Sequence, residues 1–175
     1  RRRIKQDEAN KSNGSPSSVI DNRDLLVKIL AFCFMPNHIH LLVRQTKNEG
    51  ITKFMRKFGT GYANYFNKKY SRKGYLFQGR FQAVHIKTDD QLKIAFAYIH
   101  TNPISLIEPE WKEIGIQNPK KAMKSLENYK WSSYQDYIGK KNFPSVTNRD
   151  FILEVMGKEE GCRDRNFYFV LQEIS

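Results

Sequence analysis

Two hydrophobic periods alternate along the chain from Leu25 onward. The run "LLVKILAFCFM" (25–35) is dense in β-branched and aromatic residues, "PNH" (36–38) breaks it, and "IHLLVRQ" (39–45) resumes it. Apolar runs of strand length on either side of Pro36 and Asn37 predict two antiparallel strands joined by a tight turn. The period then lengthens. Ile51, Phe54, Met55, Phe58, Tyr62, Tyr65 and Phe66 recur three and four apart. This predicts an amphipathic helix that turns Lys53, Arg56, Lys57, Lys68 and Lys69 outward. Its aromatics Tyr62, Tyr65, Phe66 and Tyr70 read mainly as core, with one available to stack a base. "YLFQGRFQAVHI" (75–86) returns to strand character. Thr88 opens a second helix through the capping box T-D-D-Q, in which Gln91 reaches back to the cap. That helix has Leu92, Ala95, Phe96 and Ile99 as its buried stripe, and it ends at Asn102 because Pro103 disfavours helix at the residue before it.

Beyond Pro103 the pattern is helical and polar. "NPKKAMKSLENY", "SSYQDYIG" and "TNRDFILEVMG" read as short helices, the last with a capping box from Thr147 to Asp150, and Trp131 reads as their core anchor. The closing "RNFYFVLQEIS" (165–175) fits helix or strand. Residues 1–24 are polar and basic, with "KSNGSPSS" as a loop by composition. The order β-β-α-β-α predicts an α+β fold, an antiparallel sheet with helices packed on it. The expected division is an N-terminal segment (1–24), a core (25–107) and a C-terminal helical extension (108–175).

Charge changes the picture. The formal net charge is +12, and between Arg44 and Lys87 eleven Lys or Arg stand against one acid, Glu49. A concentrated cationic surface attracts a polyanion, and counterion release makes nucleic acid the commonest one. Charge alone leaves a merely solvated basic face, or an acidic membrane surface, as alternatives. No run approaches the roughly eighteen apolar residues of a spanning helix, and the polar N-terminus shows no secretory signal. Cys33 and Cys162 are too few for a disulfide framework or a thiolate zinc site, so a reducing cytoplasm is the default. The chain starts at Arg1 rather than Met and is expected to begin partway through a longer protein.

Two weak chemical signals stand out. On a strand, His38, His40 and Leu42 share one face, and two imidazoles one pleat apart, with Cα atoms about 6.5–7 Å from each other, can converge on one divalent ion. Paired histidines on a half-exposed strand can equally be surface residues. On the second helix Tyr98 and Asn102 are i, i+4 neighbours on one flank of the apolar stripe, so phenol and amide project together. A phenol there can act as a nucleophile and an amide oxygen as a metal ligand. The plainer alternative is an edge aromatic followed by a helix-ending Asn. Taken together, a site of His38, His40 and Asn102 would grip a phosphate beside Tyr98 and orient it for in-line attack. The remaining candidates are less pointed. His100 reads as a surface residue, His85 approaches the site only if its strand neighbours the H-x-H strand, and Arg80, beside Gly79, is a candidate phosphate contact.

These residues carry a resemblance. "MPNHIHLLV" resembles the His-hydrophobe-His signature of the HUH single-strand nucleases, whose core is ferredoxin-like or RRM-like. "YLFQGRF", "YIHTNP" and "YKWSSYQDYIG" resemble successive blocks of the REP-associated tyrosine transposases, relatives of the single-tyrosine insertion-sequence transposases. The similarity runs from about residue 25 to residue 157. It implies that His38 and His40 bind the metal, that Tyr98 is the nucleophile, and that Asn102 takes the place of the polar residue one turn later, usually Gln. It also implies Mg²⁺ or Mn²⁺, a 5′-phosphotyrosine intermediate and single-stranded DNA with REP-like hairpins as substrate, handled by a monomer or homodimer in the bacterial cytosol at the nucleoid. Arg80, Lys53, Arg56, Lys57, Lys68, Lys69, Arg72 and Lys73 are the expected DNA contacts. The family's usual additional N-terminal strand has no counterpart before Leu25, and Thr101 replaces a more usual Leu. Two other functions compete: a nucleic-acid-binding module without chemistry, and a metal-dependent phosphoesterase that activates water.

Overall fold

The two β-rich runs pair as predicted. In the computed structural model, which describes residues 24–164, β1 (Val27–Phe34) and β2 (Ile39–Gln45) form an antiparallel hairpin with Cys33 opposite His40 and Ala31 opposite Leu42. The expectations for residues 1–23 and 165–175 lie outside the described residues. Strand β1 is buried continuously from Leu30 to Cys33 because both of its faces are covered there. Ala31 and Cys33 meet the helices, while Phe32 packs against Phe34 and Phe143. A strand covered on both sides needs a continuous apolar run, not an alternating one.

Helix α1 (Gly50–Lys69) packs against the hairpin. Its first residue must be small, because the Leu26 carbonyl oxygen occupies the place a Cβ at Gly50 would need. Helix α2 (Asp89–Thr101) starts where the capping box predicts. Thr88 Oγ1 accepts from the Gln91 N–H at 3.2 Å, and Gln91 Oε1 accepts from the Lys87 N–H at 2.8 Å, one residue upstream of the usual return bond. The helix tightens into a 3₁₀ turn (Asn102–Leu106) at Pro103. Leu92, Phe96 and Ile99 seat α2 on Ala31, Cys33 and Leu42. Beyond them come α3 (Trp111–Ile114), α4 (Pro119–Asn128), α5 (Tyr134–Tyr137) and α6 (Asp150–Met156), and residues 158–164 are helical as well. Ile152 and Met156 of α6 join the α2 core, and a second cluster of Ile104, Trp111, Ile116, Leu126, Tyr134 and Ile138 surrounds the chain beyond α2. The fold is α+β, with helices predominating.

Several expectations are corrected. Residues 75–86 form no strand. Strand composition favours extension but supplies no partner, and the outer edge of β1 is taken by residues 131–133. There Phe34 N–H donates to the Trp131 carbonyl at 2.8 Å and Ser133 N–H to the Phe32 carbonyl at 3.0 Å. Trp131 is therefore held by its backbone at a strand edge with its side chain half exposed, and the buried anchor is Trp111. Tyr62, Tyr65 and Tyr70 are exposed; among the described residues α1 packs chiefly against the hairpin, and the Phe77 ring lies near Gly59. The capping box at Thr147 does not form. Asn148 N–H donates to the Ile29 carbonyl at 2.8 Å, which draws Thr147 into the protein, and α6 begins after Arg149 without a side-chain cap.

His100 is the largest departure, being fully buried where a surface residue was expected. Its ring stacks edge-on against Phe96, and its Nε2 hydrogen-bonds Ser133 Oγ at 2.8 Å. Burial pushes the imidazole down from 6.5 to about 3. The unfolded chain therefore takes up a proton at pH values where the folded chain does not. Folding stability is full above about pH 6.5 and declines as pH falls toward 3, by up to about 1.4 kcal/mol per pH unit. Urea unfolding at pH 7 and pH 4.5 should show a smaller pH-dependent loss in His100→Asn than in the wild type. Equal losses in the two proteins would rule out this residue as the source.

Candidate active site

The hairpin turn and the α2 C-terminus come together at one rim of the core. Leu42 and His40 lie on the same side of β2, and Leu42 is sunk into the core under α2. His40, one pleat outward, reaches the edge of that contact and is half-buried, while His38 lies exposed at the strand's start. The His38 carbonyl accepts from Met35 N–H at 2.8 Å, which closes the turn. The two rings meet at right angles, with Nε2 of His38 and Nε2 of His40 3.0 Å apart.

That separation has chemical content. Two nitrogen donors each about 2.1 Å from one ion, at right angles to each other, would themselves be about 3.0 Å apart. The pair therefore fits adjacent positions on one divalent cation. His38 Nδ1 is 2.6 Å from Asn37 Oδ1. An amide oxygen only accepts, so this bond places the proton of the neutral ring on Nδ1 and leaves the Nε2 lone pair facing His40. The pKa of His40 is lowered, first by burial and then by the charges of His38 and Lys112, with a hydrogen bond to the Asn102 side chain acting in the opposite direction. A neutral imidazole is the form that can bind a metal.

Asn102 is buried, and its Nδ2 donates to the Tyr98 carbonyl at 2.6 Å. With the amino group engaged, Oδ1 is the atom left to turn toward His40. Among the described residues there is no cluster of three His, Cys, Asp or Glu. The Asn102 side chain hydrogen-bonds His40, so its amide oxygen could serve as a further ligand beside the histidine pair. Tyr98 stands beside them, its ring edge-on to His40 with centroids 5.5 Å apart and its side chain open to solvent. Lys112 Nζ lies 3.4 Å from the Tyr98 hydroxyl and 4.7 Å from its ring centroid.

The structure thus brings together His38, His40, Tyr98 and Asn102. It does not bring the expected DNA cations to them. Arg56, Lys57, Lys68, Lys69, Arg72 and Lys73 are exposed on α1 and just beyond it, Lys53 pairs with Glu49 at 3.2 Å, and Arg80 and His85 are exposed in the unpaired 75–86 segment. Two residues at the site were not singled out from the sequence. Asn37 read only as a turn former, although its place directly before His38 was a usable signal. Lys112 left no local signal, because it meets Tyr98 only through the fold.

A family profile described as "Transposase IS200 like" matches residues 3–102. The chain belongs to the IS200-like transposase family. No curated protein and no solved structure matches it. Membership brings a transposase-type, DNA-processing activity, and the match covers the hairpin, α1 and α2 and ends at Asn102. No described helix of this IS200-like transposase is long and apolar enough to cross a membrane.

The His38 tautomer can be checked without metal. Long-range ¹⁵N–¹H spectra near pH 8 should show His38 protonated on Nδ1, and Asn37→Ala should move the population toward Nε2–H. A wild-type ring already protonated on Nε2 would contradict the Asn37 bond.

Proposed function

We propose that this transposase cleaves and rejoins single-stranded DNA next to hairpins, in the manner of the REP-associated tyrosine transposases, through a covalent 5′-phosphotyrosine at Tyr98. The observation that carries this reading is the meeting of the Nε2 pair, the Asn102 amide and the Tyr98 phenol at one rim, contributed by a hairpin and one turn of helix. Mg²⁺ or Mn²⁺ held by His38, His40 and Asn102 would polarise the phosphate, and two nitrogen donors suit Mn²⁺ at least as well as Mg²⁺.

The protein's own part is positional. Asn37 sets the His38 ring, the core under Leu42 sets His40, and α2 sets Tyr98 and Asn102 one turn apart. Tyr98 Oη attacks phosphorus, the P–O3′ bond breaks, the phenolic proton passes to water, and the departing oxygen becomes a 3′-hydroxyl. The phosphotyrosine conserves the bond energy, so rejoining needs no nucleotide cofactor. The exposed cations from Lys53 to Lys73, together with Arg80, would hold the DNA backbone and make binding salt-dependent.

Labelled single-stranded hairpin DNA incubated with the protein and Mn²⁺ should give a covalent adduct on a denaturing gel. Tyr98→Phe should abolish the adduct, and His38→Ala or His40→Ala should reduce it by about 10²-fold or more, with DNA binding retained in all three. Cleavage without an adduct that survives in Tyr98→Phe would instead indicate a water-activating phosphoesterase. DNA binding without any cleavage would leave a binding module.

A further inference from the structure

We propose that Lys112 is a catalytic residue of this transposase, its ammonium contacting the phosphate as that phosphate becomes joined to Tyr98. The proposal rests on the strand-transfer reading above and adds a residue lying beyond the part of the chain that the family profile matches. Its basis is geometric. Lys112 Nζ is 3.4 Å from the Tyr98 hydroxyl, 4.7 Å from the centre of that ring and 5.6 Å from the centre of the Trp111 ring.

Trp111 is nearly fully buried in the second core cluster, so the backbone that carries Lys112 is anchored while its side chain remains in solvent. Several other cations are engaged elsewhere. Lys53 and Lys47 pair with carboxylates, while Lys69, Arg72 and Arg44 lie over Tyr65 and Tyr70, Phe66, and Phe151 respectively. Lys112 makes no ion pair with a described residue, and the group it faces is the phenol opposite the histidine pair.

A charge at that point has work to do in the transfer. A phosphate bonded to Tyr98 Oη places its non-bridging oxygens within a few ångströms of any group touching that hydroxyl. As the Oη–P bond forms and the P–O3′ bond breaks, negative charge stays on those oxygens, and a fixed ammonium donates charge-assisted hydrogen bonds to them. Lys112 keeps its proton throughout. The phenolic proton and the proton taken up by O3′ are exchanged with water. The same ammonium over the ring restrains the phenol's swing away from His40. The C-terminal extension therefore completes the site rather than merely flanking it.

The test is single-turnover adduct formation at saturating labelled hairpin DNA with Mn²⁺, comparing wild type, Lys112→Met and Lys112→Arg. Lys112→Met should lower the rate constant by about 10²–10³-fold with DNA affinity little changed, and Lys112→Arg should recover part of the loss. A methylphosphonate at the scissile linkage removes one non-bridging charge, so on that substrate the Lys112→Met penalty should shrink. A wild-type rate in Lys112→Met, or an undiminished penalty on the methylphosphonate, overturns the assignment while leaving Tyr98 chemistry standing. A wild-type protein that forms no adduct overturns both.

Discussion

One hydroxyl ties the site to the core. Ser133 Oγ accepts from the Phe32 N–H at 2.9 Å and hydrogen-bonds His100 Nε2 at 2.8 Å, so β1, the helix that carries Tyr98 and the segment before α5 meet at a single atom. His100 and Tyr98 are two residues apart on α2, which places their side chains about 200° apart around the helix. Pinning His100 inward at Ser133 therefore turns Tyr98 outward, onto the rim where His40 emerges. Removing a partner from a buried polar group costs about 1–3 kcal/mol. Here that cost would fall on the rotation of α2 as well as on stability.

The same arrangement explains the division of charge. The dense run of cations between Arg44 and Lys87 lies mostly on α1 and the segment after it. At the histidine pair itself, burial first, and then the proximity of His38 and Lys112, favour the neutral imidazole of His40. Among the described residues, the cation that meets the Tyr98 phenol is Lys112, from beyond the 3₁₀ turn.

Much of this was legible in the residues. The hairpin, both long helices, the end of α2 before Pro103, the shared face of His38 and His40, and the pairing of Tyr98 with Asn102 all follow from local periodicity and short-range sterics. The errors share one cause. Residues 75–86 read as strand, Trp131 as a core anchor and His100 as a surface residue. Each depends on what lies against it, and here the decisive neighbour was the Trp131–Ser133 segment occupying the outer edge of β1.

Sequence by itself determined how neighbours along a strand or a helix turn are spaced, His38 with His40 and Tyr98 with Asn102, because those spacings are set by bond geometry within a few residues. It also determined that the chain would be strongly basic in one stretch, which is a matter of counting. Only the tertiary structure decided that the two local pairs face each other and that a lysine from beyond the 3₁₀ turn reaches the phenol. Those contacts join residues far apart in the chain. They are selected by how apolar faces pack and which strand edge is already filled, and no window along the sequence contains that information.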